Sequence, residues 1–301
     1  RDDENVFLLP LETGPLHEIE SCTLFIHQFI ATAKDRLWIA SPYFVPDEPI
    51  VTALQAAAFR GVDVRVTVDS AGSISGGEHA PLRALETCAE DAGFMRNTQG
   101  QLTTKRARVQ VVIFNALTKI SNPNRRSHDK LLVMDGQFEG KSAVITGGRN
   151  ISEDYYGILG DGSPDPDPFR DAEILIRSAE GAVEEDVTVG ELSEGYASLL
   201  FLMPFNKRIT PAGSPQAAAQ YSRERERAWD ALGRLKRFDH FRPHLAEMDE
   251  YMNSGFRDSR VRLAHELGNL SDRQVVIDVE TNQERNPNFP EMSRPEPIPT
   301  M

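Results

Sequence analysis

Cysteine, tryptophan and long apolar runs are all scarce in this sequence. Its 301 residues include two cysteines and two tryptophans. Cys22 and Cys88 are too few and too far apart to indicate a metal site. Two buried free thiols are the simpler interpretation, although a disulfide stays open. No apolar run approaches the roughly 20 residues that a membrane-spanning helix needs.

The sequence also has no excess of positively charged residues. The sequence has 33 Lys and Arg against 46 Asp and Glu, which gives a formal net charge of −13. This balance argues against a general nucleic-acid binder, which usually carries a basic face. The window from Arg96 to Ser127 is the exception, because it holds seven basic residues and no acidic one. It leads directly into His128, so we interpret it as a cationic approach to an anion site; a solvated basic loop is the plainer alternative.

Two polar side chains directly precede the apolar run Leu131–Met134. His128 and Lys130 are two residues apart, and an extended backbone points residues i and i+2 to the same face. If the apolar run pairs as a hairpin with residues 142–147, the start of one strand lies beside the end of the other. Asn150 would then reach the rim of the sheet where His128 and Lys130 project.

Such a trio suits attack on a phosphodiester. A neutral imidazole is a competent nucleophile near pH 7, because its ordinary pKa is about 6.5. An ammonium group and a carboxamide N–H can hold the non-bridging oxygens, on which negative charge builds up in the transition state. This chemistry requires no thiol, metal or cofactor.

These residues resemble the signature of the phospholipase D superfamily, His-x-Lys-x4-Asp followed by Gly-Gly-x-Asn. The resemblance extends over about residues 35–180 and is similar in character to the first catalytic repeat of cardiolipin-synthase-like members. The turn at residues 136–141 is longer than is usual in the family, and we interpret it as a longer hairpin loop away from the site. The matching residues are His128, Lys130, Asp135, Gly147, Gly148 and Asn150, with flanking blocks at Gly61–Val66, Asp69–Ser73, Phe114–Asn115, Tyr155–Gly157 and Phe169–Asp171.

The resemblance implies a role for each matching residue. His128 would be the nucleophile or the acid–base histidine, Lys130 and Asn150 would bind phosphate, and Asp171 would orient the histidine. Asp135 is counted with this catalytic set, although in the family it is more often structural. The neighbouring residues Gly148, Arg126 and Ser127 are predicted to contact substrate.

A second His-x-Lys occurs nowhere in the sequence. Transfer through a histidine needs another group that protonates the departing alkoxide and then activates water. In the superfamily this group is the histidine of a second repeat. We expect it in a C-terminal repeat beyond Met301, for which the Pro-rich tail would be the connector. A symmetric homodimer is the alternative.

The predicted fold is α/β, a mixed sheet of six to eight strands sandwiched between helices. Strand 37–41, a helix ending at Gly61 and strand 62–68 form a βαβ unit, so part of the sheet is parallel. The predicted organisation is a catalytic repeat at residues 1–203, a helical extension at 204–285 and a Pro-rich linker or arm at 286–301. Other predicted elements are a strand at 6–9, helices at 15–34, 79–92 and 180–203, strands at 109–114, 172–176 and 275–279, and a charged helix at 215–253.

The function implied by the resemblance is hydrolysis or transfer of a phospholipid headgroup through a phosphohistidine. The partners would be phospholipid at a membrane surface and a second motif-bearing repeat or subunit, with nucleic acid disfavoured. A metal-independent nuclease and a non-catalytic lipid-binding half are the alternatives. Since the sequence begins at Arg1, we expect an excised piece, and the compartment stays open. A soluble protein, a peripheral membrane protein and a secreted bacterial enzyme all fit.

Overall fold

A computed structural model describes the chain in segments. The described segments carry thirteen β-strands and three α-helices. They are residues 4–12, 21–44, 48–69, 94–97, 99, 101–107, 109–116, 126–138, 141–152, 155, 159, 163, 165–169, 171–178, 188–203, 205–209, 257–261, 276–278 and 283–285.

Nine of the strands form one mixed sheet in the order β10-β6-β3-β2-β7-β8-β9-β1-β11. The pairs β2–β3 and β3–β6 are parallel, and every other pair in the sheet is antiparallel. The strands of the sheet are β1 (Glu4–Glu12), β2 (Arg36–Ala40), β3 (Asp63–Asp69), β6 (Val109–Phe114), β7 (Leu131–Met134), β8 (Ala143–Gly147), β9 (Ala172–Ser178), β10 (Lys207–Ile209) and β11 (Arg257–Val261).

The predicted βαβ unit is confirmed. Strand β2 and β3 lie parallel, and helix α2 (Glu48–Arg60) connects them. Gly61 ends this helix with φ of +99°, a left-handed conformation that only glycine adopts without strain. A Cβ at Gly61 would also collide with the backbone carbonyl of Phe94. The sequence therefore stops the helix at a position where both conformation and space require glycine.

Helices cover both faces of the sheet, as predicted. Leu37 and Ile39 of β2 belong to the apolar core that also contains buried residues of α1 (Ser21–Thr32) and α2. Trp38 points to the opposite face, where its ring meets Phe201 of α3 (Val189–Leu202) edge-on at 5.7 Å. One strand thus supplies apolar side chains to both layers, which explains its near-continuous burial.

Several strands begin or end at one edge of the sheet. Strands β2, β3, β6 and β8 end there, and the antiparallel strands β7 and β9 begin there. We call this the carboxyl edge. The hairpin β7–β8 has the predicted antiparallel pairing, with Leu131 opposite Thr146. Residues just before β7, just after β8 and just before β9 are therefore neighbours.

The structure corrects several predicted elements. The sheet has nine strands rather than six to eight, because β10 and β11 extend it with residues beyond position 203. Helix α3 begins at Val189 rather than 180, since Thr188 caps it and forms a reciprocal pair with Glu191. The hairpin β4 (Phe94–Arg96) and β5 (Leu102–Arg106) was not predicted.

Some predictions lie partly or wholly outside the described residues. They include the helix at 79–92, the charged helix at 215–253, the tail from 286 and the thiols of Cys22 and Cys88. A second compact unit, residues 262–301, contains a two-stranded pair, β12 (Val276–Asp278) with β13 (Gln283–Arg285). No helix among the described residues has the length and apolar character needed to cross a membrane.

Asp135 ends β7 at the opposite edge of the sheet. Its carboxylate is buried and accepts hydrogen bonds from the backbone N–H groups of Lys34, Asp35 and Arg36 at 3.0, 2.8 and 2.7 Å. Burial raises the pKa of Asp135, and the three backbone hydrogen bonds lower it in part. The place of Asp135 among the catalytic residues stays a prediction, and the contacts of its carboxylate in the structure are structural. Its carboxylate fastens the start of β2 to the β7–β8 turn.

Replacing Asp135 with Ala should destabilise the protein by about 2–4 kcal/mol, because three backbone N–H donors lose their acceptor. The φ of +50° at this position adds strain to any residue other than Gly, Asn or Asp. Urea denaturation followed by circular dichroism measures the change. Asp167→Ala is the matched control at an exposed carboxylate, and it should stay within about 0.5 kcal/mol of the parent. Equal stability of the two variants would contradict the role given to Asp135.

Candidate active site

Residues 126–130 lead into β7 and belong to no helix or strand. Their side chains have two sets of contacts. In the first, Ser127 Oγ donates to Asp129 Oδ2 at 2.8 Å, and Tyr196 Oη of α3 donates to Asp129 Oδ1 at 3.1 Å. The second set contains the exposed His128 and the buried Lys130. The first pair anchors the segment to α3, and the second pair brings an imidazole and an ammonium group together.

Lys130 and His128 are in direct contact. The Nζ atom of Lys130 lies 3.1 Å from Nδ1 and 3.2 Å from Nε2 of the imidazole, and it donates to the carbonyl of His128 at 3.1 Å. The predicted projection of these two residues from one face is what the coordinates show. Burial lowers the pKa of Lys130, while the nearby carboxylates of Asp129 and Asp171 raise it. The ammonium group is thus partly shielded from water, and two nearby negative charges stabilise its charged form.

Asp69, at the end of β3, fixes the start of this segment. Its buried Oδ2 accepts a hydrogen bond from the backbone N–H of Ser127 at 3.0 Å. Ser127 is itself buried, with its N–H bound to Asp69 and its hydroxyl donating to Asp129. The predicted contact of Ser127 with substrate stays a prediction, and in the structure this residue holds the loop. Arg126 is half-buried at the start of the segment, and its substrate contact stays a prediction.

Gly148 and Asp171 come together where β8 ends and β9 begins. A Cβ placed on Gly148 would overlap both carboxylate oxygens of Asp171, so only glycine permits this approach. Asp171 Oδ1 also accepts from the N–H of Ala172 at 2.8 Å. The structure places Asp171 close enough to influence Lys130 electrostatically. Its orienting contact with His128 stays a prediction.

Asn150 follows β8 and is 6% exposed. Its Nδ2 donates to Tyr155 Oη at 3.2 Å. The next residue, Ile151, bridges to Phe44 and donates its N–H to Ser41 Oγ at 3.1 Å, which ties this turn to the end of β2. Asn150 is therefore held at the same edge of the sheet as His128 and Lys130.

A buried ion pair connects this turn to β9. Arg149 and Glu173 have side chains that are 0% and 2% exposed, with Nε and Oε2 3.8 Å apart. Arg149 Nη1 also donates to the carbonyl of Tyr155 at 2.6 Å. Because Gly147 is the register partner of Glu173, the pair connects the end of β8 to the start of β9.

The sequence analysis predicted His128, Lys130 and Asn150 as site residues but not the residues that hold them. It gave no role to Asp129 or Tyr196, and it named Tyr155 only within a matching block. The period-two argument that paired His128 with Lys130 also places Asp129 on the opposite side of the segment, so that signal was present. Tyr196 lies on α3, far along the chain, and the sequence carries no comparable signal for it.

The described residues contain no group of three or more His, Cys, Asp or Glu side chains placed to hold a metal ion. What the site does offer is an exposed imidazole beside a partly buried ammonium, with a carboxamide and a carboxylate at the same sheet edge. These groups can bind an anion and attack it.

Part of the chain is similar to known proteins. Residues 26–157 match the family model described as "Cardiolipin synthase, PLD-like domain", where PLD stands for phospholipase D. Cardiolipin synthase A of Pseudomonas aeruginosa strain LESB58 is 45% identical over 69 residues, which are 23% of this chain and 14% of that protein. Cardiolipin synthase A of Pseudomonas putida strain F1 is 47% identical over 68 residues, with the same shares. The match thus spans about a seventh of the curated relatives.

Two solved structures match the chain at low identity and with TM-scores below 0.5. Nuc of Salmonella typhimurium, a phospholipase D family member, has 16% identity and a TM-score of 0.39, covering 65% of this chain and 91% of its own. Phosphatidylserine synthase of Haemophilus influenzae Rd KW20 has 12% identity and a TM-score of 0.42, covering 76% of this chain and 47% of its own.

Replacing Gly148 with Ala should displace the Asp171 carboxylate, because the added methyl group and the carboxylate oxygens need the same space. We expect a loss of about 1–3 kcal/mol of stability from overpacking. Urea denaturation measures the loss, and a crystal structure shows the new position of Asp171. The control is Gly195→Ala on α3, where nothing lies within 4 Å of the new methyl group. That change should be neutral or stabilising by up to about 1 kcal/mol, and equal effects in the two variants would contradict the overlap.

Replacing Asp129 with Asn should lower the pKa of Lys130 further, because the substitution removes a negative charge that raises it. The sign follows from the ammonium: without the carboxylate its charged form is less stable, so the proton leaves at lower pH. NMR titration of the Lys130 Nζ group measures the change. Asp167→Asn, an exposed carboxylate, is the control and should leave the titration unchanged. An unchanged or raised pKa in Asp129→Asn would contradict the electrostatic interpretation.

Proposed function

Since the chain is a member of the phospholipase D superfamily, with a phospholipase D-like domain at residues 26–157, we propose that it hydrolyses or transfers the headgroup phosphodiester of a phospholipid. The observation that carries this proposal is the contact of Lys130 Nζ with the exposed imidazole of His128, 3.1 and 3.2 Å from its two ring nitrogens. A nucleophile and a cation for the phosphoryl oxygens are thereby combined in one place.

The proposed reaction has two displacements at phosphorus. A ring nitrogen of His128 attacks, a phosphorus–nitrogen bond forms, and the bond to the headgroup oxygen breaks. A second imidazole gives its proton to that oxygen, so the headgroup leaves as a neutral alcohol. Water, or an alcohol in a transfer reaction, then attacks the phosphohistidine and returns a proton to the second imidazole. The products are phosphatidic acid or a new phosphatidyl ester, and both histidines are restored.

Lys130 and Asn150 would stabilise the charge that develops during both steps. Non-bridging phosphoryl oxygens become more negative as the nucleophile approaches. Preorganised hydrogen-bond donors stabilise this charge most strongly when they are partly shielded from water. Lys130 and Asn150 are both buried, at 7% and 6% exposure. Asp171, whose charge acts on Lys130, would keep the ammonium protonated and orient the attacking histidine.

The second imidazole must come from outside the motif described here, because the chain contains one His-x-Lys. We propose that a second repeat of the same polypeptide supplies it, since the matching blocks are similar to those of a first repeat. A second copy of the chain is the alternative. Molecular mass in solution, together with the length of the complete polypeptide, separates these two arrangements.

Phospholipid is the favoured substrate class for two reasons. The net charge of −13 is unsuited to holding a long polyanion, while the basic window before His128 can draw in a single anionic group. The curated relatives cited above are named as cardiolipin synthases. Cleavage of nucleic acid by the same histidine chemistry is the second candidate, and lipid binding without turnover is the third.

The complete polypeptide should release headgroup from vesicles containing phosphatidylglycerol, phosphatidylethanolamine or cardiolipin, and it should do so equally well in EDTA. His128→Ala should abolish release, and Lys130→Ala or Asn150→Ala should slow it by about 10²–10³. Lys34→Ala, an exposed lysine at the opposite sheet edge, is the control and should retain full activity.

Three outcomes would contradict the proposed lipid reaction. Shortened single-stranded DNA with intact lipid would make the protein a nuclease. Full activity in a folded His128→Ala variant would remove the histidine from the mechanism. Vesicle binding without any headgroup release, by protein that carries both histidines, would support the non-catalytic alternative.

A further inference from the structure

Tyr155 joins three parts of the candidate site. Its carbonyl accepts the hydrogen bond from Arg149, its hydroxyl pairs with Asn150, and its ring packs on Phe169 at 5.3 Å with a tilt of 55°. The guanidinium carbon of Arg149 also lies 5.8 Å from the centre of the same ring. Backbone, ring and hydroxyl thus each have a partner, and Arg149 contacts both the carbonyl and the ring.

The carboxamide of Asn150 has two ends of nearly equal size and opposite hydrogen-bonding character. A phosphoryl oxygen only accepts hydrogen bonds, so it can be bound by the NH2 end and is repelled by the oxygen end. A site that uses Asn150 for phosphate must therefore fix the direction of the amide.

The described surroundings give the Asn150 amide an incomplete set of partners. Nδ2 donates to Tyr155, while Oδ1 is buried and has no hydrogen-bond partner among the described residues. A buried amide oxygen without a donor is unfavourable. Rotation of the amide by half a turn would let the Tyr155 hydroxyl donate to Oδ1. The NH2 group would then occupy the position of the oxygen, with both N–H bonds available.

We propose that Tyr155 is a positioning residue for Asn150: in the phosphate-bound site its hydroxyl donates to Asn150 Oδ1 and turns the NH2 group toward the phosphoryl oxygen. This inference rests on the proposed phosphate-binding role of Asn150. A tyrosine hydroxyl can donate or accept, so one side chain serves both amide orientations without moving. The contacts of its carbonyl and ring keep the hydroxyl in place during the rotation.

The arrangement explains why the turn after β8 is so heavily anchored. Arg149 binds the carbonyl of Tyr155 and pairs with Glu173, while Asn150 binds its hydroxyl. Phe169, two residues before Asp171, packs on its ring. Tyr155 thereby links the predicted phosphate-binding amide to the segment that carries the predicted orienting carboxylate.

Inorganic phosphate is the probe for this proposal. Its dissociation constant is measured by isothermal titration calorimetry for the complete polypeptide and for Tyr155→Phe, Asn150→Ala and the double variant. Tyr155→Phe should weaken phosphate binding about threefold to tenfold, the effect of losing one neutral hydrogen bond. The same change should have no further effect in the Asn150→Ala background, because the hydroxyl acts through the amide.

Two controls separate positioning from folding. Tyr43→Phe removes a hydroxyl from another tyrosine near this edge, one that is 44% exposed, and should leave phosphate binding unchanged. The melting temperature of Tyr155→Phe should stay close to that of the parent. Headgroup release, measured in parallel, should fall in kcat/KM by the same factor as phosphate affinity.

Each outcome decides the proposal. Unchanged phosphate affinity in Tyr155→Phe, or losses that add in the double variant, would overturn it, as would a parent protein that binds no phosphate. If the non-additive pattern appears while neither lipid nor DNA is cleaved, the positioning role stands and the proposed reaction fails. If lipid is cleaved with additive losses, the reaction stands and the positioning role fails.

Discussion

The alternation of side-chain contacts along residues 127–130 is the constraint on which the site depends. Ser127 contacts Asp129, and His128 contacts Lys130. Asp69 binds the backbone of Ser127, and Tyr196 binds the side chain of Asp129. These contacts hold the segment, so that the buried Lys130 meets the exposed imidazole of His128.

The sheet topology turns this local arrangement into a site. Antiparallel pairing of β7, β8 and β9 places the start of the first, the end of the second and the start of the third at one edge. The parallel strands β2 and β3 end at the same edge and contribute Ser41 and Asp69 as anchors. The opposite edge has a structural role. There the carboxylate of Asp135 accepts hydrogen bonds from three backbone N–H groups. One motif therefore has a predicted reactive end and a structural end.

Much of this could be predicted from the sequence, because the decisive signals are local. The spacing of His128 and Lys130, the apolar runs of the hairpin and the glycine that ends α2 each follow from short-range rules. Strands β10 and β11 escaped prediction because they are short and lie far along the chain from their partners β6 and β1. The structural contacts of Asp135 and Ser127 were not predicted, because proximity in a motif does not say which end of a strand, or which face, a side chain occupies.

The buried pair of Arg149 and Glu173 has a consequence for how such a site can diverge. Removing one member of a fully buried ion pair leaves the other charge buried without a partner, which typically destabilises the folded protein by about 3–5 kcal/mol. Replacing both members with apolar residues can leave the stability unchanged. We therefore expect the two positions to change together, although they lie 24 positions apart in the sequence. A change at either one alone would leave a buried charge without its partner, and the protein would be less stable.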